Sequence, residues 1–178
     1  HRRSAGRTAR PGWTPRSHAI ARAIVKQHRK LAERAVFAAA QFLSGLLTIF
    51  GIIGLLKTSL SDVAAREGVA FFGMTVNPLT NLIHLAAGLI GIAMATRLDR
   101  AQRYLVVIGA GGVVFALLEF VLPDSADIFG RDTNLAIVQL ILSLGALVVW
   151  AWAWPSLQTA PAASSRATTV ASRCSARL

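Results

Sequence analysis

Residues 73–94 read GMTVNPLTNLIHLAAGLIGIAM. The run is apolar and long enough to enter a membrane, yet two asparagines and a histidine stand at its head and two glycines behind them. At 100° per residue, Asn77, Asn81, His84, Gly88, Gly91 and Ala95 fall within about 40° of one line along a helix. Pro78 suits the first helical turn, where its missing N–H costs nothing, and Asn77 is placed to cap that turn. The stretch is expected to be a helix with one special face, polar at the outer end and small toward the inside. Lipid gives no reason for such a face. A neighbouring helix does, because small residues let backbones approach and polar side chains find partners only inside a bundle.

The rest of the chain repeats the device. It has 178 residues, 54% of them hydrophobic, and a net charge of +11; its mean hydropathy is +0.53. The apolar residues cluster in four blocks, 35–56, 79–96, 104–122 and 134–154, and most of the charge lies outside them. The first block would span roughly 33 Å as a helix and the second roughly 27 Å, against a hydrocarbon core of about 30 Å. The fourth ends in Trp150, Trp152 and Trp154 before Pro155, as expected where a helix meets lipid headgroups. The first block is too long and too far into the chain for a cleaved signal peptide, and no small-residue cleavage pattern follows it. Each of the other blocks carries its own stripe: Gln41, Ser44, Gly45 and Thr48 in the first, Gly109, Gly112, Ala116 and Glu119 in the third, Gln139, Ser143 and Ala146 in the fourth. The fold class expected is all-α, an integral membrane four-helix bundle occupying residues 35–154.

Orientation follows from the basic residues. Sixteen of the nineteen arginines and lysines lie in the segment 1–34, the loop 97–103 and the tail after Pro155; the other two loops hold three. The alternation matches four crossings and puts both termini in the cytoplasm by the positive-inside bias. Residues 1–16 are polar, basic and broken by Pro and Gly, and are expected to be disordered. From Ser17, placed to cap a helix, Ile20, Ile24, Leu31 and Ala35 recur at helical spacing with Arg22, Lys26, Arg29, Lys30 and Arg34 between them. Residues 17–34 are thus expected to form a basic amphipathic interfacial helix that attracts anionic lipid. Nucleic acid is not expected as a partner, since the segment has no binding motif and orientation already explains its charge. Residues 155–178 are expected to be a disordered tail carrying the one cysteine, Cys174.

Depth brings the buried polar groups together. With the second helix running inward and the third outward, His84 lies roughly 7 Å below the outer end and Glu119 roughly 5 Å. Gln139 enters the fourth helix to a similar depth, so Asn77, Asn81, His84, Glu119 and Gln139 form a candidate polar cluster in the outer half. Ionisable side chains within a membrane face a partner or water, which makes His84 and Glu119 the functional candidates by default and predicts that they approach each other. Gly88, Gly91, Ala95, Gly109 and Gly112 are the candidate packing residues. No catalytic, cofactor or metal site is expected. His84 is the only histidine in the four blocks, which excludes bis-histidine haem ligation, and no Cys/His cluster has zinc spacing. Gly109, Gly111 and Gly112 lie inside an apolar helix, where they pack and hold no phosphate.

Within the bundle, the stretch VNPLTNLIHLAAGLIGIA resembles a bacterial four-helix membrane family, domain of unknown function 4383, with the signature V-N-x-x-H-N-x-x-H-x-x-x-G. Asn77, Asn81, His84 and Gly88 match in place, and Thr80 stands where the family commonly has histidine. RDTNLAIVQ keeps the family's Asp132, Asn134 and Leu135 but has Ala136 where a histidine is usual. The resemblance covers roughly residues 35–154. It implies the four-helix fold and no activity, and the two missing histidines argue against a metal or proton role.

The expectation is a small multi-pass protein of unknown biochemical role, a non-enzymatic structural or accessory subunit; the alternative is a small-solute or proton pathway using His84 and Glu119. Arg- and Ala-heavy usage suggests a GC-rich bacterial genome, and the expected location is the bacterial plasma membrane. The expected partners are the bilayer, anionic lipid at the amino-terminal segment, and further copies of the chain or a larger membrane complex. The topology gives a direct prediction. Ser125→Cys in a Cys174→Ser background is expected to react with an impermeant thiol reagent on intact spheroplasts, whereas Cys174 in the parent is not; the reverse labelling would overturn the orientation.

Overall fold

The structure, a computed structural model, describes residues 15–58, 69–71, 73–122 and 132–158. Four helices and one small hairpin follow in chain order: α1 Pro15–Thr58, β1 Val69–Phe71, β2 Met74–Val76, α2 Pro78–Met94, α3 Leu98–Val121 and α4 Thr133–Gln158. α1, α3 and α4 are long and apolar enough to cross a membrane; α2 is a shorter apolar helix of 17 residues. The protein is an all-α, four-helix membrane bundle. Residues 1–14 and 159–178, with the expected disorder of both ends and Cys174, lie outside the described residues.

The side chains are distributed as a membrane protein requires. The buried cluster is built largely from small residues, among them Ala32, Val36 and Ala40 of α1, Ala101 of α3, and Ala146 and Ala153 of α4, with Leu43, Tyr104 and Leu105 as its large members. Large apolar side chains point outward instead: Leu56 is 80% exposed and Val121 78%. Water would not tolerate so much contiguous apolar surface on a monomer, whereas lipid tails solvate it at no cost.

Several boundaries differ from the sequence expectation, each for a local reason. No break separates an interfacial helix 17–34 from a first span at 35; α1 is one helix of 44 residues. No Gly or Pro occurs between Arg16 and Ser44, and the Ala, Arg, Lys and Leu that fill the stretch are good helix formers, so nothing ends the helix. Pro15 sits in the first turn, where proline is tolerated. α3 begins at Leu98, inside what reads as a charged loop, with Asp99 in its first turn, where the helix dipole favours a carboxylate. The connection from α2 to α3 is therefore only Ala95, Thr96 and Arg97. α4 runs past Pro155 to Gln158; the proline removes one N–H donor, but within the final turn little of the helix depends on it. Trp150 and Trp154 meet there at a centroid distance of 5.3 Å.

The hairpin is an addition to the expected all-helical pattern. β1 and β2 pair antiparallel, with Val69 opposite Val76 and Phe71 opposite Met74, around Gly73 at φ 75°. That left-handed conformation favours glycine. Strands of three residues give almost no periodicity, and so the segment reads as loop. Asp132 fastens the hairpin to the bundle. Its Oδ1 accepts the Leu135 N–H at 2.8 Å, capping α4, and its Oδ2 accepts the Thr75 N–H at 2.5 Å. Asn134 adds a bond from Nδ2 to the Gly73 carbonyl at 3.0 Å.

Burial alone would raise the pKa of Asp132, but these backbone N–H bonds outweigh it and hold the carboxyl below its ordinary value. A carboxyl depressed by folding stabilises the fold above its unfolded pKa, and that stability is lost as pH falls through the folded pKa. Asp132→Ala is expected to lower stability at pH 7 by about 0.5–2 kcal/mol, the cost of an N-cap. It is also expected to flatten the destabilisation below about pH 4, the ordinary aspartate range. Unfolding in detergent micelles across this range measures both; equal stability of variant and parent at pH 7 would contradict the clamp.

Candidate functional site: the polar seam and central cavity

α2 is set against α1 by glycines from both helices. A Cβ added at Gly51 would collide with the backbone of Leu85, and one at Gly54 with the side-chain amide of Asn81. From the other side, a Cβ at Gly88 would meet Thr48 and the Ser44 carbonyl, and one at Gly91 the Ser44 side chain and the ring of Tyr104 on α3. Small residues are what permit this approach. In α3, a Cβ at Gly109 would press on Leu147, and one at Gly112 on Ser143 Oγ, both of α4. Ala95 is buried with this cluster. Gly51 and Gly54 were not among the residues expected to pack. Gly45, named in the first block's stripe, faces open space, and Gln41 of the same stripe is exposed. The signal was present in Ser44, Thr48 and Gly51, spaced by four and then three residues on one helical face.

The polar residues of the opening stretch take separate places along this seam. Asn77 caps α2, its Oδ1 accepting the Thr80 N–H at 2.7 Å. Asn81, buried, donates from Nδ2 to Thr58 Oγ1 at 3.4 Å, and that hydroxyl donates to the Gly54 carbonyl at 2.9 Å. His84 lies one turn deeper, beside the side chain of Gln139 on α4. Glu119 is buried on α3. His84 and Gln139 face the interior from two helices that share no extended contact, α2 and α4.

His84 and Gln139 border a cavity of about 330 Å³ to which all four helices contribute. Leu43, Leu46 and Leu47 of α1, Phe115 of α3, and Leu135 and Leu142 of α4 make most of its wall; Ser143 is its third polar residue. Glu119 is not part of the lining. Among the described residues, no three His, Cys, Asp or Glu side chains converge as a metal site would require.

A bundle of this kind, with small and polar residues inside and large apolar ones outside, belongs to the class of multi-pass α-helical membrane proteins. Residues 37–152 match the family described as a domain of unknown function, DUF4383, and the chain belongs to that family. No curated protein and no solved structure matches the chain.

Proposed function

We propose that the chain is a non-enzymatic structural or accessory subunit of a bacterial plasma membrane, with both termini in the cytoplasm. The observation that supports this reading best is the use made of the buried polar side chains. Asn77 caps a helix, Asn81 ties α2 to α1, Asp132 and Asn134 tie the hairpin to α4, and His84 meets Gln139 between α2 and α4. Each bond positions a helix, and none sets a nucleophile beside a base as covalent catalysis needs. The amino-terminal part of α1 projects Arg22, Lys26, Arg29, Lys30 and Arg34 from a helix that is exposed from Ala19 to Leu31. Such a surface draws anionic headgroups at about 1 kcal/mol per basic residue, and the exposed Ile20, Ile24 and Leu31 on its other side suit a further copy or a larger complex.

A proton or solute pathway through His84 and Glu119 has less support. Glu119 lies outside the cavity, and the cavity wall beyond His84, Gln139 and Ser143 is apolar. Purification of the full chain from its native membrane in mild detergent tests the reading. The expected result is an assembly larger than a monomer, with a partner or further copies in fixed stoichiometry. A monomer that dissipates a pH gradient in reconstituted vesicles, and ceases to do so as His84→Ala, would contradict it.

A further inference from the structure

The bundle does not close evenly. α2 packs mainly on α1 and α3 mainly on α4, while α2 and α3 meet over a short stretch that includes Gly91 and Tyr104. The cavity lies behind the gap that remains. Ile83 of α2 and Val107 and Gly111 of α3 line it and are exposed at the surface of the bundle, whereas Leu43, His84 and Ser143 line it and are buried. The space therefore runs from a lateral mouth on the lipid side to a polar floor between α2 and α4. Its volume of about 330 Å³ is within the range of small-molecule pockets, about 300–1,000 Å³, which are mostly apolar with a few placed polar groups.

The chemistry of the wall restricts what fits. No Asp, Glu, Lys or Arg lines the cavity, so a phosphate or carboxylate head would enter without a counter-charge, which is costly away from water. Two further facts favour an apolar molecule with one hydrogen-bond donor. Apolar cavities stay dry and accept apolar guests, and Gln139 keeps an acceptor in reserve: its Oε1 is buried with no hydrogen-bond partner among the described residues. Such an atom carries the desolvation cost of an unmade bond until a donor reaches it.

We propose that this cavity is a binding site for an uncharged single-chain lipid alcohol, taken laterally from the bilayer. Its chain lies against the leucines of α1 and α4. Its hydroxyl donates to Gln139 at the floor, beside His84. This role is independent of whether the protein is a subunit of a larger assembly.

Photolabelling of the purified full chain tests the site with two diazirine-bearing probes of equal length, hexadecanol and hexadecanoic acid. The alcohol is expected to label peptides covering 83–87, 107–115 and 135–143, and the acid to label them at least tenfold less. Gly111→Leu places a bulky side chain at the exposed mouth of the cavity, where an added Cβ meets nothing within 4 Å, and is expected to reduce labelling by the alcohol at least tenfold. Gly145→Leu, which also faces open space but lies outside the cavity, is expected to leave it unchanged. Gln139→Leu is expected to remove the preference for alcohol over acid. If Gly111→Leu does not purify as a monodisperse protein, Val107→Trp at the mouth replaces it with the same expected loss. Equal labelling by acid and alcohol in the parent, or alcohol labelling that survives a filled cavity, would overturn the proposal.

Discussion

Everything else in this fold depends on how closely α1 and α2 approach. In lipid, two helices gain nothing by hiding leucines from their solvent, so association rests on backbone proximity and a few polar bonds. Gly51 and Gly54 on one helix and Gly88 and Gly91 on the other leave no room for a Cβ at the contact, which lets the longest and the shortest helix lie together. α2 has only 17 residues and is marginal as an independent span. It is held by its neighbour, by the Asn77 cap at its start and by the Asn81–Thr58 bond beside Gly54.

The same economy of contact explains the cavity. Because α2 is committed to α1, and α3 to α4, the remaining faces of α2 and α3 are not drawn together by small residues. Apart from the contact of Gly91 with the Tyr104 ring, the space beside α2 is bridged, among the described residues, where its His84 approaches Gln139 of α4. A long polar side chain suits that position because it spans a distance that two glycine faces would have closed. The end of the bundle where α2 and α4 begin is shut in another way. Asp132 and Asn134 bind the β2–α4 junction through backbone groups of the hairpin, which fixes the start of α4 relative to the start of α2.

The sequence discloses the parts of this structure that depend on helical periodicity. The face bearing Asn77, Asn81, His84, Gly88, Gly91 and Ala95 is readable because six residues share one line at 100° spacing, and Asn77-Pro78 is readable because a cap followed by proline has a definite local geometry. Asp132, Asn134 and Leu135 could be picked out as a family pattern, but their role as cap and clamp depends on a three-residue strand too short to show any period. α1 continues through the basic segment because charge sets where a helix leaves the membrane, while Gly and Pro set where it stops. Gly45 and Gly51 show the remaining gap. Both are glycines in one apolar run, and only the direction of the neighbouring helix decides that Gly51 is a contact and Gly45 is not.

The central claim is that the glycine face of α2 is a close helix contact and its other side meets lipid. Gly91 and Leu89 separate the two directly, since a Cβ at Gly91 meets the Tyr104 ring while Leu89 is 54% exposed. The decisive measurement is the unfolding free energy of Gly91→Leu and Leu89→Ile by steric trapping in a bilayer mimic. Overpacking at Gly91 is predicted to cost about 1–3 kcal/mol, with Leu89→Ile within about 0.5 kcal/mol of the parent, as for an outward-facing position. If both substitutions are tolerated equally, the face points to lipid and the bundle described here is wrong.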